Sequence, residues 1–172
     1  VYRGATSLLL CRIAALRDAS FRGADFYLVD SFSGTRESAD QDLIAVRGED
    51  GRMGRQPFFQ AGRTDASVEA VKQVFREFPE AQILKGWVPE VFQQLPDMPW
   101  AFVHLDVTLY EPTMAALRYF QPRLARGGVL VMDGYGSSFC PGLAQAWNEF
   151  CDAQNLPYVV LPTRQAVLGP VR

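Results

Sequence analysis

A chain of 172 residues, 48% hydrophobic and 21% charged, is long enough to bury one sizeable core and too apolar to be disordered. A formal net charge of −2 with no Lys/Arg block argues against nucleic acid as a partner, and no apolar run approaches the ~18–20 residues of a membrane span. The three cysteines (Cys11, Cys140 and Cys151) are odd in number and lack C-x-x-C spacing, which suits a reducing, cytoplasmic setting.

The chain begins at Val1 without Met or a signal-peptide pattern, and we expect a preceding stretch, with a strand in it, to belong to the same single domain spanning 1–172. Ser7 to Leu16 reads as a mostly apolar helix, followed by a polar break through Asp18, Ser20, Arg22 and Gly23. Phe26 to Asp30 is an apolar run with the length of a strand covered on both faces. Ser31 to Pro57 is polar, Gly-containing and of mixed charge, which predicts either a mobile flap over a site or plain disorder. Within it, Leu43-Ile-Ala-Val46 is able to form a short element.

A helix is predicted over Ser67–Phe78, where Val71, Val74, Phe75 and Phe78 recur at helical spacing, Ser67 caps and Pro79 stops it. Next come a short strand over Ile83–Val88, a helical turn around Val91, Phe92 and Leu95, and a strand over Ala101–Thr108. A helix from Pro112 to Leu124, with Pro at its first position, ends at Gly127-Gly128, which opens the next strand. Pro141 starts a last helix with an apolar stripe of Leu143, Ala146, Trp147, Phe150 and Cys151. Two closing strands, Tyr158–Leu161 and Gln165–Leu168, lie too close together for a helix between them, so an antiparallel hairpin at one sheet edge is expected. Strands alternating with helices predict an α/β fold with a mainly parallel sheet and helices on both faces.

In such sheets ligands bind beyond the carboxyl ends of the strands. Asp30, Gly86-Trp87, Asp106 and Asp133 all fall at such ends. If the strands carrying Asp106 and Asp133 are neighbours, their backbones lie ~4.8 Å apart and the two carboxylates are able to share a cation or a proton. The competing reading is that each Asp merely caps the turn that follows it. Asp30 stands where a carboxylate can accept both hydroxyls of a ribose, and Arg3-Gly4 before a helix reads as the tail of a cofactor loop. Trp87 is a ring for stacking or simply for packing. His104 is the single histidine, on the same side of the pleat as Asp106. It reads either as a packed strand residue or as a base. The G-x-G-x-x-G, P-loop and G-x-S-x-G patterns are missing, so NAD, ATP and serine-hydrolase chemistry lack their usual support.

Taken together, several stretches resemble the macrocin O-methyltransferase family of class I, S-adenosylmethionine-dependent methyltransferases. Val1-Tyr-Arg-Gly4 with Thr6-Ser7 resembles the end of the family's first cofactor loop, Asp30-Ser-Phe-Ser-Gly34 its ribose motif, and Lys85-Gly-Trp87 its adenine-side motif. His104-Leu-Asp-Val-Thr-Leu-Tyr-Glu-Pro-Thr113, Gly127-Gly128 through Asp133-Gly-Tyr-Gly136, and Cys140-Pro-Gly142 resemble its metal-and-catalysis strands.

The resemblance implies a Rossmann-like, seven-strand sheet and methyl transfer from S-adenosylmethionine to a hydroxyl of a small molecule, typically a sugar of a natural product. It implies cofactor contacts from Tyr2, Arg3, Gly4, Ser7, Asp30, Ser31, Gly86 and Trp87. Magnesium (Mg2+) would be held by Asp106 and Asp133, with Asp106 as catalytic base or metal ligand. The chain departs from the family pattern at Thr108 and Gly134, where the family usually carries further aspartates. Two alternatives therefore stay open, a metal-independent methyltransferase and a non-catalytic binding domain on the same fold. The expected partner is a small hydroxyl acceptor, with no nucleic acid and no membrane, and a homo-oligomer is left open.

Overall fold

The computed structural model describes residues 3–62 and 66–170, so the Tyr2 expected at the cofactor lies outside the described residues. These residues fall into two compact units. One runs up to Arg36 and resumes over Ala61–Leu95; the other comprises Glu37–Gln60 and the chain from Pro96 onward.

In the first unit, helix α1 (Ala5–Arg17) follows Gly4, whose left-handed φ of 82° lets the chain turn into the helix. Strand β1 (Tyr27–Asp30) pairs in parallel with β4 (Gln82–Lys85), with Asp30 opposite Lys85 at the carboxyl end. Between them lies α2 (Val68–Val74), capped by Ser67, whose hydroxyl accepts the Ala70 N–H at 3.2 Å. The periodicity predicted a longer helix to Phe78, but the helix gives way to turns after Val74, which still bury Phe75 and Phe78. Cys11, Leu28, Phe32, Val71, Phe75 and Phe78 form this unit's core. After β4, Glu90–Gln94 makes the expected short helical turn.

The second unit holds a four-stranded sheet in the order β5-β6-β8-β7. Strands β5 (Trp100–Leu105) and β6 (Leu124–Met132) are parallel, joined through α3 (Tyr110–Phe120). After α4 (Pro141–Ala153), β7 (Tyr158–Val160) and β8 (Ala166–Leu168) close as the antiparallel hairpin anticipated from their spacing, with β8 against β6. The apolar stripe of α4 (Leu143, Ala146, Trp147, Phe150 and Cys151) is buried, and α4 packs against α3. Ser31–Pro57 is neither a bare loop nor disordered. Asp40–Asp42 is a 3₁₀ turn, and β2 (Leu43–Arg47) pairs antiparallel with β3 (Met53–Pro57).

Two expectations need correction. Helix α3 starts at Tyr110, so Pro112 is its third residue rather than its first; the first turn of a helix tolerates Pro because its N–H groups have no helical partner. Strand β6 starts at Leu124, with Gly127-Gly128 inside it beside a register shift against β5. The described strands pair as β1-β4, β2-β3 and β5-β6-β8-β7. The architecture is a mixed α/β fold with parallel pairs and an antiparallel C-terminal hairpin. No helix among the described residues is long and apolar enough to cross a membrane.

Candidate active site

Parallel pairing fixes where each carboxylate emerges. In the first unit, β1 and β4 end side by side, and the Gly86 N–H extends the ladder by donating to the Asp30 carbonyl at 2.9 Å. The Asp30 carboxylate accepts the Phe32 N–H at 2.8 Å, and the Ser31 hydroxyl donates to the Gly34 carbonyl at 2.7 Å, so the loop folds back over its own strand end. Gly86 has no room for a side chain, since a Cβ there would meet Val91 Cβ at 2.8 Å. Trp87 is half-buried, with the Arg36 guanidinium 5.0 Å from its ring centroid. Arg36 is in turn held by Glu90 at 2.8 Å. At the start of α1, Gly4 is buried, Arg3 exposed and Ser7 half-buried in the first turn. Asp30, Ser31, Gly86 and Trp87 thus share one strand edge, and Arg3, Gly4 and Ser7 gather at one helix start.

In the second unit, β5 and β6 pair with Leu105 opposite Met132, and Asp106 and Asp133 are the next residues on the two strands. The Asp133 N–H donates to the Leu105 carbonyl at 2.9 Å, which carries the ladder up to the two carboxylates. Asp106 is exposed and Asp133 half-buried. The turn after Asp133 is anchored through Tyr135, whose hydroxyl reaches Asn148 Oδ1 of α4 at 2.9 Å and the Tyr158 hydroxyl at 3.2 Å. That shared hydrogen bond, with burial, pushes the Tyr158 phenol up to about 12. His104 sits mid-strand opposite Val131, half-buried. Cys140 is buried just before α4, and burial first, then the Asp106 and Asp42 carboxylates, push its thiol upward against a Ser137 hydrogen bond. Among the described residues no group of three or more His, Cys, Asp or Glu gathers in a way that could hold a metal. Asp106 and Asp133 are the two carboxylates that follow the paired strand ends.

One residue of this unit escaped the sequence reading. Asp42 is only 5% exposed. Its carboxylate accepts the Tyr110 N–H, the first of α3, at 2.8 Å and the Ala39 N–H at 3.1 Å. Burial pushes its pKa above the ordinary carboxylate value, those two N–H groups partly offset the rise, and nearby Glu111 adds to it. Its only sequence signal is an acid directly before an apolar strand, which is common and uninformative.

Comparison with known proteins gives the family. The family model described as Macrocin-O-methyltransferase (TylF) matches residues 1–162. The demethyldecarbamoylnovobiocin O-methyltransferase of Streptomyces niveus is 28% identical over 157 residues, 87% of this chain and 55% of that protein. The 8-demethyl-8-(2,3-dimethoxy-alpha-L-rhamnosyl)-tetracenomycin-C 4'-O-methyltransferase of Streptomyces olivaceus is 28% identical over 144 residues, covering 81% and 52% respectively. The chain spans about half the length of these curated relatives. Its fold matches the solved structure of the O-methyltransferase NovP with a TM-score of 0.73 at 22% identity, over 100% of this chain and 69% of that one. With the family model covering nearly the whole sequence, the chain belongs to the macrocin-O-methyltransferase (TylF) family.

Proposed function

We propose that this chain is a single methyltransferase domain that works as an S-adenosylmethionine-dependent O-methyltransferase on a hydroxyl of a small molecule, a sugar or other natural product. Family membership supports it, and so do the relatives' names, which are those of O-methyltransferases on natural products. The observation that carries the reading is the β5–β6 register, in which Asp106 and Asp133 follow paired residues on adjacent parallel strands.

The cofactor, when bound, supplies a methyl group activated by a sulfonium. In this reading Asp30 accepts the ribose hydroxyls, Ser31 holds the loop that carries it, and Gly86 clears the space in which Trp87 lies beside the adenine. Arg3, Gly4 and Ser7 complete the contacts from the start of α1. An alcohol is a poor nucleophile at neutral pH, and Asp106 takes its proton as the oxygen attacks. Mg2+, when bound, would be held by Asp106 and Asp133 and would acidify the same hydroxyl. Beyond that, the protein's contribution is to align oxygen and methyl group.

Calorimetric titration of S-adenosylhomocysteine tests the cofactor half, with binding in the micromolar range expected, and no binding would refute it. Repeating turnover in excess chelator tests the metal. A second reading, methyl transfer without metal, is favoured by Thr108 and Gly134 standing where further donors would be. Activity undiminished by chelator selects it. Loss restored by magnesium selects the two-aspartate site.

A further inference from the structure

Asp42 plays no part in the proposed chemistry, yet among the described residues it is the one charged side chain in the buried set. A buried carboxylate is costly unless it is hydrogen-bonded, so its partners indicate what it holds. Its two donors tie the 3₁₀ turn at Asp40–Asp42 to the start of α3, whose N-terminal N–H groups favour a negative charge. It also abuts α4. A Cβ built on Gly142, the second residue of that helix, would fall on Asp42 Oδ1 and meet Tyr110 Cβ at 3.0 Å. Three elements thus meet at a single side chain.

The residues flanking that junction line a groove. Leu43, Ile44 and Ala45, which directly follow Asp42, form one wall; Ser138, Phe139 and Pro141, which directly precede Gly142, form the other, around about 350 Å³. Phe58, at the end of β3, stacks on Phe139 with ring centroids 4.1 Å apart, and both rings remain 46% exposed. The lining is aliphatic and aromatic with one hydroxyl. It lies along the Gly134–Cys140 loop that leaves Asp133.

We propose that Asp42 is a positioning residue for the acceptor: by pinning the turn before β2 to the starts of α3 and α4, it sets the spacing of the two groove walls, which receive an acceptor presenting an apolar face beside its reactive hydroxyl. The inference rests on the methyltransferase reading for its ligand, though not for its geometry.

The test uses the full chain, 4-nitrophenyl rhamnoside as acceptor, and the variants Asp42→Asn, Asp42→Ala, Gly142→Ala and Asp42→Ala/Gly142→Ala. Asp42→Ala should raise the acceptor KM by about tenfold while kcat and S-adenosylhomocysteine affinity stay within about twofold, the pattern of lost ground-state positioning. Asp42→Asn keeps an acceptor for the Tyr110 N–H and should recover part of that loss. Gly142→Ala should mimic Asp42→Ala, and the double variant should lose clearly less than the sum of the two, because removing the carboxylate relieves the closest clash and leaves only the approach to Tyr110 Cβ at 3.0 Å.

An unchanged KM, additive losses, or a fall in kcat alone would overturn the proposal while leaving the enzyme reading intact. If the wild-type chain neither binds S-adenosylhomocysteine nor turns over, the enzyme reading fails first. Hydrogen exchange then decides the pinning: faster exchange of Leu43–Pro57 amides in the Asp42 variants supports it, and equal exchange rejects it. Asp42→Asn serves in both arms if Asp42→Ala does not fold.

Discussion

The two strand edges are built on different length scales. At the β1–β4 edge the contacts that shape each strand end are short in sequence: Asp30 holds the Phe32 N–H, Ser31 holds the Gly34 carbonyl, and Gly86 lies against Val91, while the pairing of the two strands and the reach of Arg36 to Trp87 and Glu90 are long-range. At the β5–β6 edge the two aspartates emerge from a local pattern, but the helix start beside them is held by Asp42 from 68 residues away. A contact of the first kind can be found by reading a motif. The second kind exists only once the chain has folded.

The largest effect expected is at the second edge. Asp106→Asn should lower kcat by roughly 100-fold or more, the usual worth of a general base, with cofactor affinity unchanged. Turnover near wild type would remove Asp106 from the mechanism. Asp30→Ala should do the reverse. It should weaken S-adenosylhomocysteine binding by about 10–100-fold, the worth of hydrogen bonds to a charged group, as measured by calorimetry. If both variants struck the same parameter, the division of labour between the edges would be wrong.

The cysteines sharpen the comparison through pH. Burial, with Glu77 adding to it, pushes Cys11 in the first unit up to about 11; burial, with Asp152 adding, does the same to Cys151 in the second. The folded values lie above the ordinary 9.0, so the folded state binds more protons than the unfolded one between them. The stability contributed is whole below pH 9.0 and drains away as pH rises toward about 11. Denaturant titrations across that range should show the decline. Iodoacetamide at pH 8 should label neither thiol before unfolding. The smallest effect belongs to Ser67→Ala, which removes the α2 cap and should cost ~1 kcal/mol in thermal or denaturant unfolding.

Much of the fold was legible because its signals are local. The α4 stripe, the Ser67 cap and the break at Pro162-Thr-Arg164 between β7 and β8 each need only a few neighbouring residues. The start of α3 was misread for the opposite reason. Leu109 has no capping side chain, so Pro112 was the one signal in view, while the Tyr110 N–H takes its acceptor from Asp42. Strand β3 was invisible because every residue from Met53 to Pro57 is exposed and no alternation marks it. At the candidate site the strand-end residues could be located in advance. Their neighbourhood in β5–β6 could only be posed as a condition, since strand order is not written in either strand alone.

The placement of the three tryptophans has an optical consequence. Trp87 is half-buried under Arg36 in the first unit, whereas Trp100 and Trp147 are buried in the second, the latter with no hydrogen-bond partner for its indole N–H among the described residues. The intrinsic fluorescence is therefore already partitioned. With excitation selective for tryptophan, Trp87→Phe leaves indole emission from the second unit alone, and subtracting it from the wild-type spectrum isolates the one indole at the β1–β4 edge.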